Sequence, residues 1–259
     1  ASDVYKRQYY KTEENVANKL ITLDKARNMK HINDFEDELE KIEQKTDLIL
    51  SDKQKEAIEA VNDNNVCIIT GGPGTGKTTI IKVILELYKS KKRKTVLCAP
   101  TGRAAKRMTE TTGEEAKTLH RLLEIGKIEE ERTSKYNDFD VAPLDADVII
   151  VDEMSMVDLF LMNYLVKAIY QGSKLVLVGD VDQLPSVGPG NVLADLINSK
   201  RIKTIVLNKI FRQAAKSKII INSHRVNSGE TFIKPQESAE ELNLSLIHIS
   251  EPTRRRGIS

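Results

Sequence analysis

The stretch "VCIITGGPGTGKTTIIKVIL", Val66 to Leu85, decides the fold. Val66–Thr70 is an apolar run of strand length, and the residues after Thr79 repeat apolar side chains at helical spacing. Between them, "GGPGTGKTT" satisfies G-x-x-x-x-G-K-[ST] with Gly71, Gly76, Lys77 and Thr78. Glycines let the backbone curl so that its N–H groups face phosphate oxygens, and the helix amino end adds positive potential. Lys77 can reach the β- and γ-phosphates, and Thr78 can ligate Mg²⁺. The stretch therefore predicts a nucleoside triphosphate site, with ATP and Mg²⁺ held by Gly71, Gly72, Pro73, Gly74, Thr75, Gly76, Lys77, Thr78 and Thr79.

Outward from it, short Val/Ile/Leu runs alternate with longer helical periods. The runs are Val66–Thr70, Thr95–Pro100, Asp147–Asp152, Lys174–Asp180 and Thr204–Leu207. Nearly continuous apolar strands separated by helices predict an α/β fold, a parallel sheet with helices on both faces. Ligands of such sheets bind at the carboxyl ends of the strands. Residues 48–207 would form this lobe, with a polar insertion over 126–143. Residues 9–47 read as the helical tail of a preceding domain, with apolar positions at Val16, Leu20, Leu23 and Ala26.

The two ends read as adapter-derived. "DVYKRQ" (Asp3 to Gln8) can be encoded by GATGTGTATAAGAGACAG, whose reverse complement translates as Leu-Ser-Leu-Ile-His-Ile, residues Leu244 to Ile249. That DNA resembles the transposon-end adapter of sequencing libraries, so residues 1–8 and 244–259 are set aside from fold reasoning. The 40 Lys+Arg lose five there and the 38 Asp+Glu lose two, leaving 35 against 36 and a net charge of −1. Global charge thus does not call for nucleic acid, and any such contact must come from local patches. No apolar run is long enough for a membrane span. Cys67 and Cys98 sit in strand-like runs without metal-ligand spacing, which points to buried thiols in a reducing cytoplasm.

A second chemical feature is "VIIVDEMSM". At this strand end Asp152 would hold Mg²⁺ and Glu153 would polarise an attacking water. A third is "GDVDQLPSVGPG", Gly179 to Gly190, which places the neutral amide of Gln183 just beyond another strand. Such an amide can hydrogen-bond a phosphate oxygen or the attacking water, so its contacts change when the phosphate leaves. "SDKQ" admits two compatible readings for Gln54, a capping box with Ser51 or an adenine-reading amide. Pro100 and Thr101 end a strand before a helix with Arg103, Lys106 and Arg107 on one face, a pattern suited to a phosphodiester backbone or to solvent. Thr118 likewise reads as a helix cap or as a contact.

Taken in order, "GGPGTGKTT", "APTGRAAKRM", "KTLHRLL", "VDEMSMVD", "GDVDQLPSVGPGNVLADL" and "IFRQAAKSKIIINSHRVNSGE" resemble the motifs of superfamily 1 DNA helicases, nearest to the bacterial RecD-like ATP-dependent group. The resemblance covers about Ile49 to Glu230. It implies a RecA-like P-loop NTPase lobe and the beginning of a second, truncated lobe over 208–243. It also implies a catalytic set of Lys77, Glu153, Gln183 and Arg212, in which Gln183 senses the γ-phosphate and Arg212 reaches it from the second lobe. Gln54 would then read adenine, and Asp152 and Thr78 would hold the metal. Pro100, Thr101, Arg103, Thr118 and His120 would contact single-stranded DNA, with 5′→3′ movement and partners among repair or recombination proteins. The chain alone is expected to bind ATP, hydrolyse it poorly and leave duplex DNA closed. Other readings stay open: the helicase half of a conjugative relaxase, a P-loop ATPase acting on protein, and a nucleotide-dependent binding module.

Overall fold

The apolar runs become the strands of one sheet in the computed structural model, which describes residues 2–28, 30–125, 141–209, 218–227 and 229–231. The strands are β1 (Val66–Gly71), β2 (Thr95–Ala99), β3 (Ala116–Thr118), β4 (Val148–Val151), β5 (Lys174–Gly179) and β6 (Lys203–Leu207). They lie in the order β3-β2-β4-β5-β1-β6, and every pairing is parallel. All carboxyl ends therefore face one edge. The register Thr70↔Gly179 and Val151↔Leu177 sets the ends of β1, β4 and β5 side by side there.

Strand side chains alternate between two apolar layers, as the two-residue period requires. Val66, Ile68, Ile149, Val151, Leu175 and Leu177 face one layer. Cys67, Ile69, Val148, Ile150, Val176 and Val178 face the other. The first layer is covered by α1 (Ser2–Asp24), α6 (Leu119–Leu122), α7 (Leu159–Ala168) and α8 (Val192–Asn198). The second is covered by α2 (Phe35–Thr46), α3 (Asp52–Asp63), α4 (Lys77–Ser90) and α5 (Gly102–Thr112). Each fully buried Ile or Leu contributes about 1.5–3 kcal/mol by leaving water.

Two elements depart from the expectation. β3 has no counterpart among the expected strands; it is only three residues long and half-buried. Residues 9–47 do not stand apart from the sheet. Val16, Leu20 and Leu23 of α1 share an apolar cluster with Val66 and Leu175, while Leu39 and Ile42 of α2 join the opposite one. Polar contacts add to this. The Asn65 amide donates to the Leu23 and Ala26 carbonyls at 3.2 and 2.6 Å, and Asn62 exchanges two bonds with the Ile32 backbone at 2.8 and 3.0 Å. Helix α1 starts at Ser2, inside the adapter-like segment.

Contacts divide the chain at Lys216 into two compact units. In the second, α9 (Lys218–Asn227) ends on a bond from Arg225 Nε to the Thr231 carbonyl at 2.9 Å and an ion pair with Glu230 at 3.1 Å. Residues 126–140 of the expected insertion, 210–217 and 232–259 lie outside the described residues. No described helix is long and apolar enough to cross a membrane.

Candidate nucleotide-binding site

The phosphate loop leaves β1 and enters α4 through Gly74 and Gly76 at φ 76° and 87°, a conformation L side chains rarely adopt. Gly71 is demanded by space instead: a Cβ there would meet the Leu207 carbonyl oxygen at 2.7 Å. Thr75, buried, closes the turn by donating to the Gly72 carbonyl at 2.8 Å. Thr78 and Thr79 follow in the first turn of α4, whose unpaired N–H groups point out of the helix end. Lys77 folds back over its own loop and donates to the carbonyls of Gly71 and, at 3.0 Å, of Gly72.

Around Lys77 the chain gathers acids. Burial pulls its pKa down, and Asp180, Asp152 and Glu153 push back up. Asp152 stands one residue past β4, anchored by its N–H on the Cys98 carbonyl at 2.9 Å. Burial raises the Asp152 pKa, against the Glu153 N–H that donates to its carboxylate at 2.8 Å and the charge of Lys77. Burial and the neighbouring Asp152 raise Glu153 as well. Glu153 also holds φ 54°, the left-handed region, immediately before the 3₁₀ turn Met154–Met156, and backbone strain of this kind clusters at functional sites. A buried carboxylate whose charge is poorly compensated, beside a lysine facing phosphate-binding glycines, is a donor set that fits a hard divalent cation shared with phosphate oxygens. Thr78 and Asp152 would hold it.

Gln183 comes to the same edge. Its amide donates to the Asp180 carboxylate at 3.3 Å, and Asp180 itself is 4% exposed. In the sequence Asp180 reads only as the end of a strand, yet it is the first of the charges that Lys77 feels. Arg107 is a second omission. Read only as part of a basic face, it acts electrostatically on Lys77, Asp152 and Glu153 together. Asp180 lies just past β5, between β4 and β1, and Arg107 lies on α5, which follows the β4 neighbour β2; both adjacencies come only from strand order. Arg212 lies outside the described residues.

Gln54 realises its capping reading. The Ser51 hydroxyl accepts from the Gln54 N–H at 3.4 Å, and Gln54 Oε1 accepts from the Ser51 N–H at 3.0 Å. The cap uses one of the two acceptor positions of the Gln54 carbonyl, so it is compatible with a contact to a base. Both threonines of the expected DNA contact also cap helices, Thr101 accepting from Ala104 and Thr118 from Arg121, each at 3.2 Å. The pairing Ala99↔Thr118 nonetheless sets the two motifs next to each other, with Arg103, Lys106, Arg107 and His120 exposed and Pro100 half-buried.

A family model described as an AAA domain matches residues 54–189. The ATP-dependent RecD2 DNA helicase of Deinococcus radiodurans is 39% identical over 206 residues, 80% of this chain and 27% of that protein. The RecBCD enzyme subunit RecD of Mycobacterium tuberculosis is 35% identical over 217 residues, 73% of this chain and 37% of that protein. The chain thus spans roughly a third of the length of these relatives. In fold it is similar to the Pif1 helicase of Candida albicans, with a TM-score of 0.51 at 24% identity over 71% of this chain and 45% of that one. With the family model spanning more than half of its residues, the chain belongs to the AAA domain family and stands with the RecD-like helicases of superfamily 1.

Proposed function

We propose that this chain is the ATP-hydrolysing part of a DNA helicase that couples turnover to 5′→3′ movement on single-stranded DNA. The observation that carries the reading is the meeting of Lys77, Asp152, Glu153 and Asp180 at adjoining strand ends, with the Gln183 amide on Asp180. Lys77 and the loop N–H groups bind and orient the phosphates. Thr78 and Asp152 would hold Mg²⁺, which would supply charge compensation for them. Glu153, its pKa raised by burial, is fitted to accept a proton from the attacking water. Gln183 exchanges its Asp180 bond for one to the γ-phosphate or that water, and Arg212 completes the cleft from the second lobe. Pro100, Thr101, Arg103, Thr118 and His120 line the neighbouring strand ends where a DNA backbone would run.

Partners follow from the relatives: single-stranded DNA, a second motor lobe, and other subunits of a repair or recombination enzyme. The buried thiols of Cys67 and Cys98 suit a reducing cytoplasm. The test is ATP binding and phosphate release with and without single-stranded DNA. Glu153→Gln is expected to keep ATP binding and to lower turnover at least about 100-fold. Unchanged turnover in that variant would sink the hydrolytic role of Glu153, and binding without any wild-type turnover would favour a nucleotide-dependent binding module.

A further inference from the structure

The loop Val181–Gly190 carries Gln183, yet apolar packing does not hold it: Leu184 and Val187 are 87% and 108% exposed. Two anchors to neighbouring elements stand at its ends. At the first, the Val181 N–H donates to the hydroxyl of Thr70 at 3.3 Å. Thr70 is itself buried, near the end of β1 where the chain enters the phosphate loop. At the second, the Leu159 N–H donates to the Pro189 carbonyl at 2.9 Å. There Gly188 packs so closely on Asp158 that a Cβ would stand 2.0 Å from Asp158 Oδ2 and 2.7 Å from its Cβ. Rotating the aspartate cannot relieve the second clash. Asp158 is held in turn, because its Oδ1 caps α7 by accepting from the Leu161 N–H at 2.8 Å.

We propose that Thr70, Asp158 and Gly188 are positioning residues that clamp the Gln183 loop to both sides of the nucleotide site. Thr70 ties it to the strand that enters the phosphate loop. The Asp158–Gly188 contact ties it to the helix that follows Glu153, only five residues along the chain. A shift at either the phosphate loop or the Glu153 turn is then transmitted to Gln183 through a short, stiff path rather than through the exposed middle of the loop. This deepens the proposed function and rests on it for the meaning of Gln183, while the clamp itself is made by contacts among the chain's own residues.

The test is backbone amide exchange, followed by NMR on the full chain without nucleotide. Gly188→Ala is expected to speed exchange at Val181 and Leu159 about tenfold while leaving the thermal midpoint in place. Thr70→Val, which keeps the shape but removes the acceptor, should do the same at Val181. The reciprocal swap, Gly188→Ala with Asp158→Gly, moves the single Cβ across the contact and keeps a residue tolerated at a helix N-cap, so exchange should return to the wild-type rate. Unchanged exchange in both single variants, or loosening that the swap does not reverse, would overturn the proposal. In the turnover assay Gly188→Ala should lower kcat about tenfold with ATP affinity kept, and equal loss of both would assign the contact to general folding. Failure of the wild-type chain to bind ATP would strike the proposed function alone, since the exchange readout needs no ligand.

Discussion

At the scale of single residues, the site is a contest between burial and compensation. Lys77 is charged against a desolvation that pulls its pKa down, and the three acids that sustain it crowd into the same enclosed edge, where burial raises Asp152 and Glu153 in turn. Lys77→Met should therefore lower ATP affinity about 10- to 100-fold, the worth of charge-assisted bonds to phosphate, as read by titration calorimetry. Glu153 gives a kinetic counterpart. Its pKa lies above the ordinary glutamate value, so the acidic limb of turnover against pH should sit above that value too, and Glu153→Gln should remove the limb. Far from the site, Lys174 is fully buried and donates to the Asn62 and Asn64 carbonyls, each at 2.9 Å. Burial pulls it to about 8 from 10.5. A lysine depressed in the folded state gives its full stability above the unfolded pKa and loses it as pH falls through the folded one. Wild-type stability relative to Lys174→Met should thus rise by about 1–3 kcal/mol between pH 8 and 10.5 in urea titrations.

At the scale of elements, local signals and long-range ones separate cleanly. The capping box that starts α3 was written in "SDKQ" and forms as written. Ser51→Ala should cost about 1 kcal/mol, measured as a lowered urea midpoint with unchanged slope. The five apolar runs were equally legible, since short Val/Ile/Leu segments alternating with helices can bury both of their faces only inside a covered parallel sheet. β3 was not, because "AKT" has neither the length nor the apolar content of a strand and owes its place to the neighbouring β2. The phosphate loop and the Asp152–Glu153 pair carried their chemistry in contiguous residues. Asp180 and Arg107 did not: their membership in the site depends on β1, β4 and β5 lying side by side and on β2, which leads into α5, pairing with β4, which spacing along the chain does not encode.

At the scale of the whole molecule, the open issue in the sequence was where the lobe begins. An amphipathic helix announces that it will bury one face, not which surface will receive it. In the fold, Leu20 is 2% exposed within the cluster that includes Val66 and Leu175, whereas its neighbour Ile21 is 43% exposed, turned away from that cluster by the helix rotation between them. The Tyr9 ring also rests against Phe160 of α7 at 5.5 Å between centroids. If α1 is an integral layer of the lobe, truncating its buried face must weaken the sheet it covers. Leu20→Ala should lower the unfolding free energy by about 2–5 kcal/mol, and Ile21→Ala should stay within about 0.5 kcal/mol of wild type. Both should unfold in one transition when followed by helix and by sheet signals. A separate early transition for α1 in Leu20→Ala, with the sheet unfolding at its wild-type midpoint, would instead make residues 9–47 a detachable neighbour. The contrast between two adjacent residues keeps helix propensity nearly constant, so the difference reads the docking of α1 and not its formation.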